Sequence, residues 1–168
     1  MDSKNLLKKG VVSEDRRRIV TLVGVKQARI GYRFIFLDDS SGECNGCERR
    51  PVCLGNLEAK RVYQVIKVRG KTFPCKVHAD GVSVVEVVES DIIAAVPKSQ
   101  AFEGAILTFQ SSKCEELTCP MYEVCHPQGV SDGEKCKVLK IDGDLSCPKT
   151  FPLVKVLLQR VQNARTTQ

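Results

Sequence analysis

Residues 27–36 read Gln-Ala-Arg-Ile-Gly-Tyr-Arg-Phe-Ile-Phe, and 73 positions later residues 100–109 read Gln-Ala-Phe-Glu-Gly-Ala-Ile-Leu-Thr-Phe. Each stretch opens with Gln-Ala-x-x-Gly and closes an apolar run on a phenylalanine, Phe36 or Phe109. Further along, the run from Val65 to Gly70 is matched by the run from Val138 to Gly143 at the same offset, and Val52-Cys53 by Val124-Cys125 at an offset of 72. A self-similarity of this period means two homologous units, residues 19–90 and 91–160, each a marginal folder alone. A charged flank, 1–18, precedes them and a polar tail, 161–168, follows. At 168 residues the chain lies within the usual single-domain range of about 50–250 residues, so 19–160 is expected to form one compact domain.

Within each unit the apolar residues come in short β-branched or aromatic runs broken by Gly, Asp, Ser or Pro, which is the pattern of strands. The expected strands are Ile19–Val25, Tyr32–Leu37, Arg61–Arg69 and Val82–Val88 in the first unit. In the second they are Ile92–Pro97, Ala105–Phe109, Cys136–Ile141 and Leu153–Leu158. Gly31 and Gly104 stand just before a strand, where a turn calls for positive φ. The fold is therefore expected to be mainly β, with two β-β-(cysteine loop)-β-β units related by a pseudo-twofold axis in a barrel or a sandwich and little helix. Cys53 to Lys60 would also suit a short helix, and the apolar spacing of Leu153 to Arg165 would suit an amphipathic one.

Eight of the nine cysteines form two sets: Cys44, Cys47, Cys53 and Cys75, then Cys114, Cys119, Cys125 and Cys147. The gaps are two, five and twenty-one residues in the first and four, five and twenty-one in the second. In a reducing compartment such sets are metal ligands more readily than disulfides, although intracellular disulfides do occur in hyperthermophiles and a free cysteine also packs as a small hydrophobe. Thiolates suit zinc or iron–sulfur clusters, whereas hard ions need oxygen. A structural zinc site is usually built from two close pairs, and each set here has one. Three cysteines in one loop with a distant fourth favour an iron–sulfur cluster. The expected cofactors are two clusters of the [4Fe-4S] type, with two zinc ions as the alternative. Cys136, at the repeat position of Tyr63, falls outside both spacings and is expected in the core. A reactive thiol or a replacement ligand is the other reading of it. His78 and His126 are the only histidines. A turn or surface role is expected of His126, which ligation or proton gating would replace only because it adjoins Cys125.

The net charge is +6, with 17 Lys and Arg against 9 Asp and Glu in residues 1–84 and 9 against 11 in residues 85–168. The basic N-terminal half, which includes Arg16-Arg17-Arg18, could approach nucleic acid or an acidic protein, though solubility accounts for it equally well. Met1 to Arg18 lacks the apolar centre of a secretory signal, and no uncharged run approaches the roughly 18 residues of a membrane span. A cytoplasmic protein without a membrane partner is expected. No Gly-x-Ser-x-Gly, phosphate-binding Gly-rich loop or His-Glu-x-x-His is present, so no catalytic residue is assigned. With no Trp, a base-stacking platform is poorly supplied.

Cys44-x2-Cys47-x5-Cys53 resembles the cysteine run of the endonuclease III family of DNA glycosylases. That resemblance implies a four-iron cluster and, over ten residues, no activity. Pro120 and Pro148, which follow cysteines, and Pro74, which precedes Cys75, are also common in cluster loops. Over the whole chain, the two Gln-Ala-x-x-Gly units and the two cysteine sets resemble an archaeal family, uncharacterised protein family 0179. It has no established activity, and its two cysteine clusters are candidates for iron–sulfur redox centres. The resemblance implies two such centres. The reading reached is a small protein of electron transfer or redox sensing with a redox protein as partner. A zinc-stabilised module contacting nucleic acid or a ribonucleoprotein, and an accessory subunit braced by its clusters, are the alternatives. Arg49 and Arg50 in the first loop against Glu115, Glu116 and Glu123 in the second predict the higher potential for the first centre, unless water screens these charges.

Overall fold

The computed structural model describes residues 16–39 and 41–162. Lys8-Lys9 of the charged flank and the tail beyond Gln162 lie outside them. The chain divides between Ser90 and Asp91 into two compact units. The first holds β1 (Ile19–Gly24), β2 (Arg33–Ile35), α1 (Arg50–Cys53), β3 (Val62–Phe73) and β4 (Val82–Glu89). The second holds β5 (Ile92–Pro97), β6 (Ile106–Thr108), α2 (Tyr122–Cys125), β7 (Lys135–Asp144) and β8 (Leu153–Arg160). Each unit is one antiparallel four-stranded sheet, ordered β1-β4-β3-β2 in the first and β5-β8-β7-β6 in the second. The fold is mainly β and duplicated, with both cysteine loops between the second and third strands of their units.

The duplication extends to single hydrogen bonds. Gly31, at φ 86°, donates its N–H to the Val65 carbonyl at 2.8 Å, and Gly104, at φ 82°, donates to that of Val138 at 2.8 Å. Phe36 N–H reaches Arg61 O, and Phe109 N–H reaches Glu134 O, each at 2.8 Å. These bonds replace strand pairing just outside β2 and β6, which is why those two strands are shorter than their apolar runs. The long arms β3 and β7 instead run past the expected ends at Arg69 and Ile141. Each absorbs a register shift, between Val68 and Thr72 and between Ile141 and Gly143. Gly70 and Gly143, with φ of 71° and 120°, supply the conformation that such a bulge demands.

Period-two alternation decides which face is buried. In the second unit Ile92, Ala94 and Val96 of β5 stand opposite Leu158, Val156 and Val154 of β8, and all six are in the core with Val138 and Phe109. Burying each Val, Leu or Ile among them contributes about 1.5–3 kcal/mol. Leu153–Arg160 is thus a strand and not the amphipathic helix its spacing also allowed. In the first unit Val23, Val85, Val87, Tyr63 and Val65 form the equivalent layer, and Leu54 and Leu57 pack on it from the end of the cysteine loop. The short helix expected over Cys53 to Lys60 lies one turn earlier, at Arg50–Cys53, because Pro51 fits the first turn of a helix. Cys136 is wholly buried in the core of its unit, and Tyr63 occupies the matching place in the other. Among the described residues no helix is long and apolar enough to cross a membrane.

An ion cluster around the buried Glu86 joins the two strands of the β3–β4 hairpin, its cationic partners about half exposed or more. The Glu86 side chain is 9% exposed, and its Oε1 accepts from Arg69 Nε at 3.0 Å and Nη2 at 2.9 Å, with Lys67 Nζ 3.9 Å away. The Arg69 hydrogen bonds first, then the charges of Arg69, Lys67 and Arg18, hold its carboxyl below the ordinary 4.5. A lowered folded-state pKa gives stability that is present above the unfolded value and is lost as pH falls through the folded one. Glu86→Gln should therefore lower the urea midpoint at pH 7, and the gap to the parent chain should narrow steadily below about pH 4.5. A gap that is constant from neutral to acid pH would remove the charge from this account.

Candidate metal centres

The first cysteine loop is folded by turns that its sequence specifies. Asp39 Oδ1 accepts the N–H groups of Ser41 and Gly42, both at 3.0 Å, and Oδ2 accepts that of Cys44 at 3.0 Å. Gly46 adopts φ 76°, and the Cys47 N–H returns to the Cys44 carbonyl at 3.2 Å. The Cys47 carbonyl then accepts from Arg50, and Cys53 closes α1 by donating to Arg49 O at 2.8 Å. This turn of helix is fastened to the free edge of β1. Thr21 Oγ1 donates to Cys53 O at 3.0 Å, Cys53 Sγ lies 3.8 Å from Leu22 O, and Asn56 Nδ2 donates to Val20 O at 3.0 Å. Cys75 is supplied by the loop between β3 and β4.

The second loop repeats the plan with other residues. The Cys119 carbonyl accepts from Tyr122, Cys125 donates to Met121 O at 3.0 Å, and the Cys114 N–H meets Ser112 Oγ at 3.4 Å. His126 takes the place that Leu54 has in the first unit. Its Nε2 bonds the Ser112 carbonyl at 2.8 Å and its ring stacks on Tyr122 at 4.2 Å, so it ties the two ends of the loop together. Cys147 comes from the loop between β7 and β8.

Each predicted quartet is brought to one place. Cys44, Cys47, Cys53 and Cys75 line a hollow of about 450 Å³ in the first unit. Cys114, Cys119, Cys125 and Cys147 line one of about 300 Å³ in the second. Cys136 borders neither, so it is no substitute ligand. Among the described residues no three His, Cys, Asp or Glu side chains are drawn up around one point as the ligands of a single ion. Four sulfurs on one zinc, at about 2.3 Å from the metal, would stand only about 3.8 Å apart. The four thiols of each set line one hollow rather than converge on a point.

The electrostatics disfavour bare thiolates at three of the eight positions. Burial pushes the Cys53 thiol up to about 11, and the neighbouring Cys44, Cys75 and Cys47 push it in the same direction. Burial, then Cys119, Cys147 and Cys114, raise the Cys125 thiol likewise. Cys44 is raised by burial and then by the Asp39 carboxylate. With nothing bound these thiols stay neutral, since four thiolates in one hollow would repel. Positive charge from a metal reverses that preference.

The surrounding charges differ less than the sequence implied. Arg49, Arg50 and Lys76 face Glu43 and Glu48 around the first hollow, whereas Glu116 and Lys149 are the charged residues of the second. Glu115 and Glu123 do not border it. Sequence reasoning passed over Asp39, Thr21, Lys76 and Lys149. Asp39 alone carried a local signal, the Asp-x-Ser-Gly run of a side-chain-capped turn.

A model of the family described as Uncharacterised protein family (UPF0179) matches residues 19–158, from the first residue of β1 into β8. The chain belongs to that family. Among similar proteins, the UPF0179 protein of Methanocaldococcus jannaschii is 37% identical over 145 residues, which cover 86% of this chain and 95% of that one. The UPF0179 protein of Methanococcoides burtonii is 38% identical over 149 residues, 86% of this chain and 98% of its own. That of Archaeoglobus fulgidus is 36% identical over 154 residues, 90% and 99% respectively. No solved structure matches the chain.

Proposed function

We propose that this UPF0179 protein is a two-centre iron–sulfur protein of electron transfer or redox sensing, with one cluster of the [4Fe-4S] type held by each cysteine quartet. The observation that carries this reading is the gathering of all eight spaced cysteines, and not the ninth, into two hollows at the same place in two repeated units. Each hollow gathers four thiols, and all its candidate ligands are sulfur, the donor iron–sulfur clusters use. When bound, such a group supplies a one-electron couple. The protein's part is to shield it, to set its potential through local charge and to leave one side open to a partner.

Anaerobically isolated protein should carry about eight irons and eight acid-labile sulfides per chain, with visible absorbance that bleaches on reduction and returns on oxidation. About two zincs and no colour would replace this reading with that of a zinc-braced module. Colour that does not bleach would leave the clusters a structural role only.

A further inference from the structure

We propose that the mouth of the first hollow is the docking surface for an acidic iron–sulfur electron carrier, with electrons entering through Cys47. The proposal rests on the redox reading above and adds the partner and the route. Cys47 is the one exposed cysteine of the nine, so its sulfur offers the shortest path from outside to whatever the quartet holds. Cations crowd around it. Arg49, Arg50 and Lys76 line the hollow. Arg49 rests on the Phe73 ring at 4.2 Å, which holds that positive head in place, and Lys71 of β3 lies over the same ring at 5.2 Å. Among the described residues none of these four cations is held in an ion pair. Val77, 52% exposed, lines the same hollow and gives it an apolar component.

Three uncommitted cations, which outnumber the two carboxylates Glu43 and Glu48 of the same hollow, match a partner that carries carboxylates around its own redox centre, because complementary charge speeds encounter and fixes orientation. The second hollow lacks these features. Its cysteines are half-buried or buried, and the exposed residues of its loop include Glu115, Glu116 and Glu123. In the docked state one electron leaves the carrier's reduced iron–sulfur centre, which is oxidised. It passes by way of the Cys47 sulfur to the group in the first hollow, which is reduced. No bond is broken and no proton moves.

The test uses the full chain, isolated anaerobically, and a plant-type ferredoxin as the acidic carrier. Titration of one with the other should give binding that weakens as salt is raised, and R50E/K76E should bind about tenfold or more weakly at low salt. The rate of reduction by limiting reduced ferredoxin should fall by a similar factor. Iron content should stay as it is in the parent chain, and excess dithionite, which needs no docking, should still reduce both centres, although the two substitutions lower the potential of the first. Equal binding by parent and variant, or binding indifferent to salt, overturns the docking surface even if both centres are redox-active. Self-association at low salt that the same two substitutions abolish makes the occupant a second copy and also overturns it. Tighter binding of a single-stranded oligonucleotide than of ferredoxin, lost in the same variant, overturns it in favour of nucleic acid. Salt-sensitive ferredoxin binding lost in R50E/K76E, with no electron uptake by the parent chain, sinks the redox reading and the electron route with it.

Discussion

Cys53→Ser is expected to leave the anaerobically isolated chain with half its iron and sulfide, about four of eight of each, and with one redox wave instead of two. Cys53 ends α1, against the edge of β1, and its sulfur is placed by backbone bonds on both sides. Serine keeps those bonds but replaces a soft donor with a hard one on a hydroxyl that does not ionise near neutral pH. The other three thiols cannot make up the lost donor, because the hollow contains no histidine and no further cysteine. The two quartets lie in separate units, so the second should be untouched. Cys125→Ser should give the converse, and Cys136→Ala, in the core away from both hollows, should keep all the iron. Reduction adds negative charge, which three cations against two carboxylates around the first hollow favour more than one of each around the second. The wave that Cys53→Ser removes should accordingly be the higher one. Loss of the lower wave instead would refute this ordering, and an unchanged iron content would refute the quartets themselves.

What could be read from the sequence was what repeats. Gln-Ala-x-x-Gly at residues 27–31 and 100–104, and the spacing of the cysteines, specify turns and ligands whose chemistry is local to a few residues. All eight strands were legible because alternation along a half-buried strand is a local property too. Other points were decided by distant partners. Leu153–Arg160 is periodic enough for either a helix or a strand, and its pairing with both β5 and β7 settles the choice. The bulges at Gly70 and Gly143 carry β3 and β7 past residues that read as strand ends. Glu115 and Glu123 are near Cys114 and Cys119 in sequence yet do not border the hollow, while Lys76 and Lys149 do, each one residue or two beyond a fourth cysteine. Charge counted along a loop overstated the contrast between the sites, because a loop of this length presents only part of its residues to any one point.

Gly81→Ala should be the most damaging of the single-methyl additions, since it joins two costs at a position that holds a ligand loop. Gly81 has φ 78°, a conformation that costs an L-residue about 1–2 kcal/mol. A Cβ there would also lie 2.5 Å from the Phe73 carbonyl oxygen, a backbone atom with no rotamer to escape to, and overpacking of this kind typically costs about 1–3 kcal/mol more. Gly70, on the same hairpin at φ 71°, has nothing within 4 Å of its would-be Cβ, so Gly70→Ala should carry the dihedral cost alone. The difference between the two variants therefore isolates the clash. It also has a chemical consequence. Gly81 donates to His78 O at 2.9 Å and accepts from Val25 N at 3.1 Å, bonds that close the loop carrying Cys75 and attach it to the end of β1. Relief of the clash requires Phe73 or Gly81 to move, and either shift displaces Cys75 from the other three sulfurs. Gly81→Ala should thus unfold at a lower urea concentration than Gly70→Ala and lose iron from the first hollow while the second stays loaded. If the two variants unfold together with full iron, the Cys75 loop is not held by this contact, and the first quartet draws its geometry from the Cys44–Cys53 loop and β1 alone.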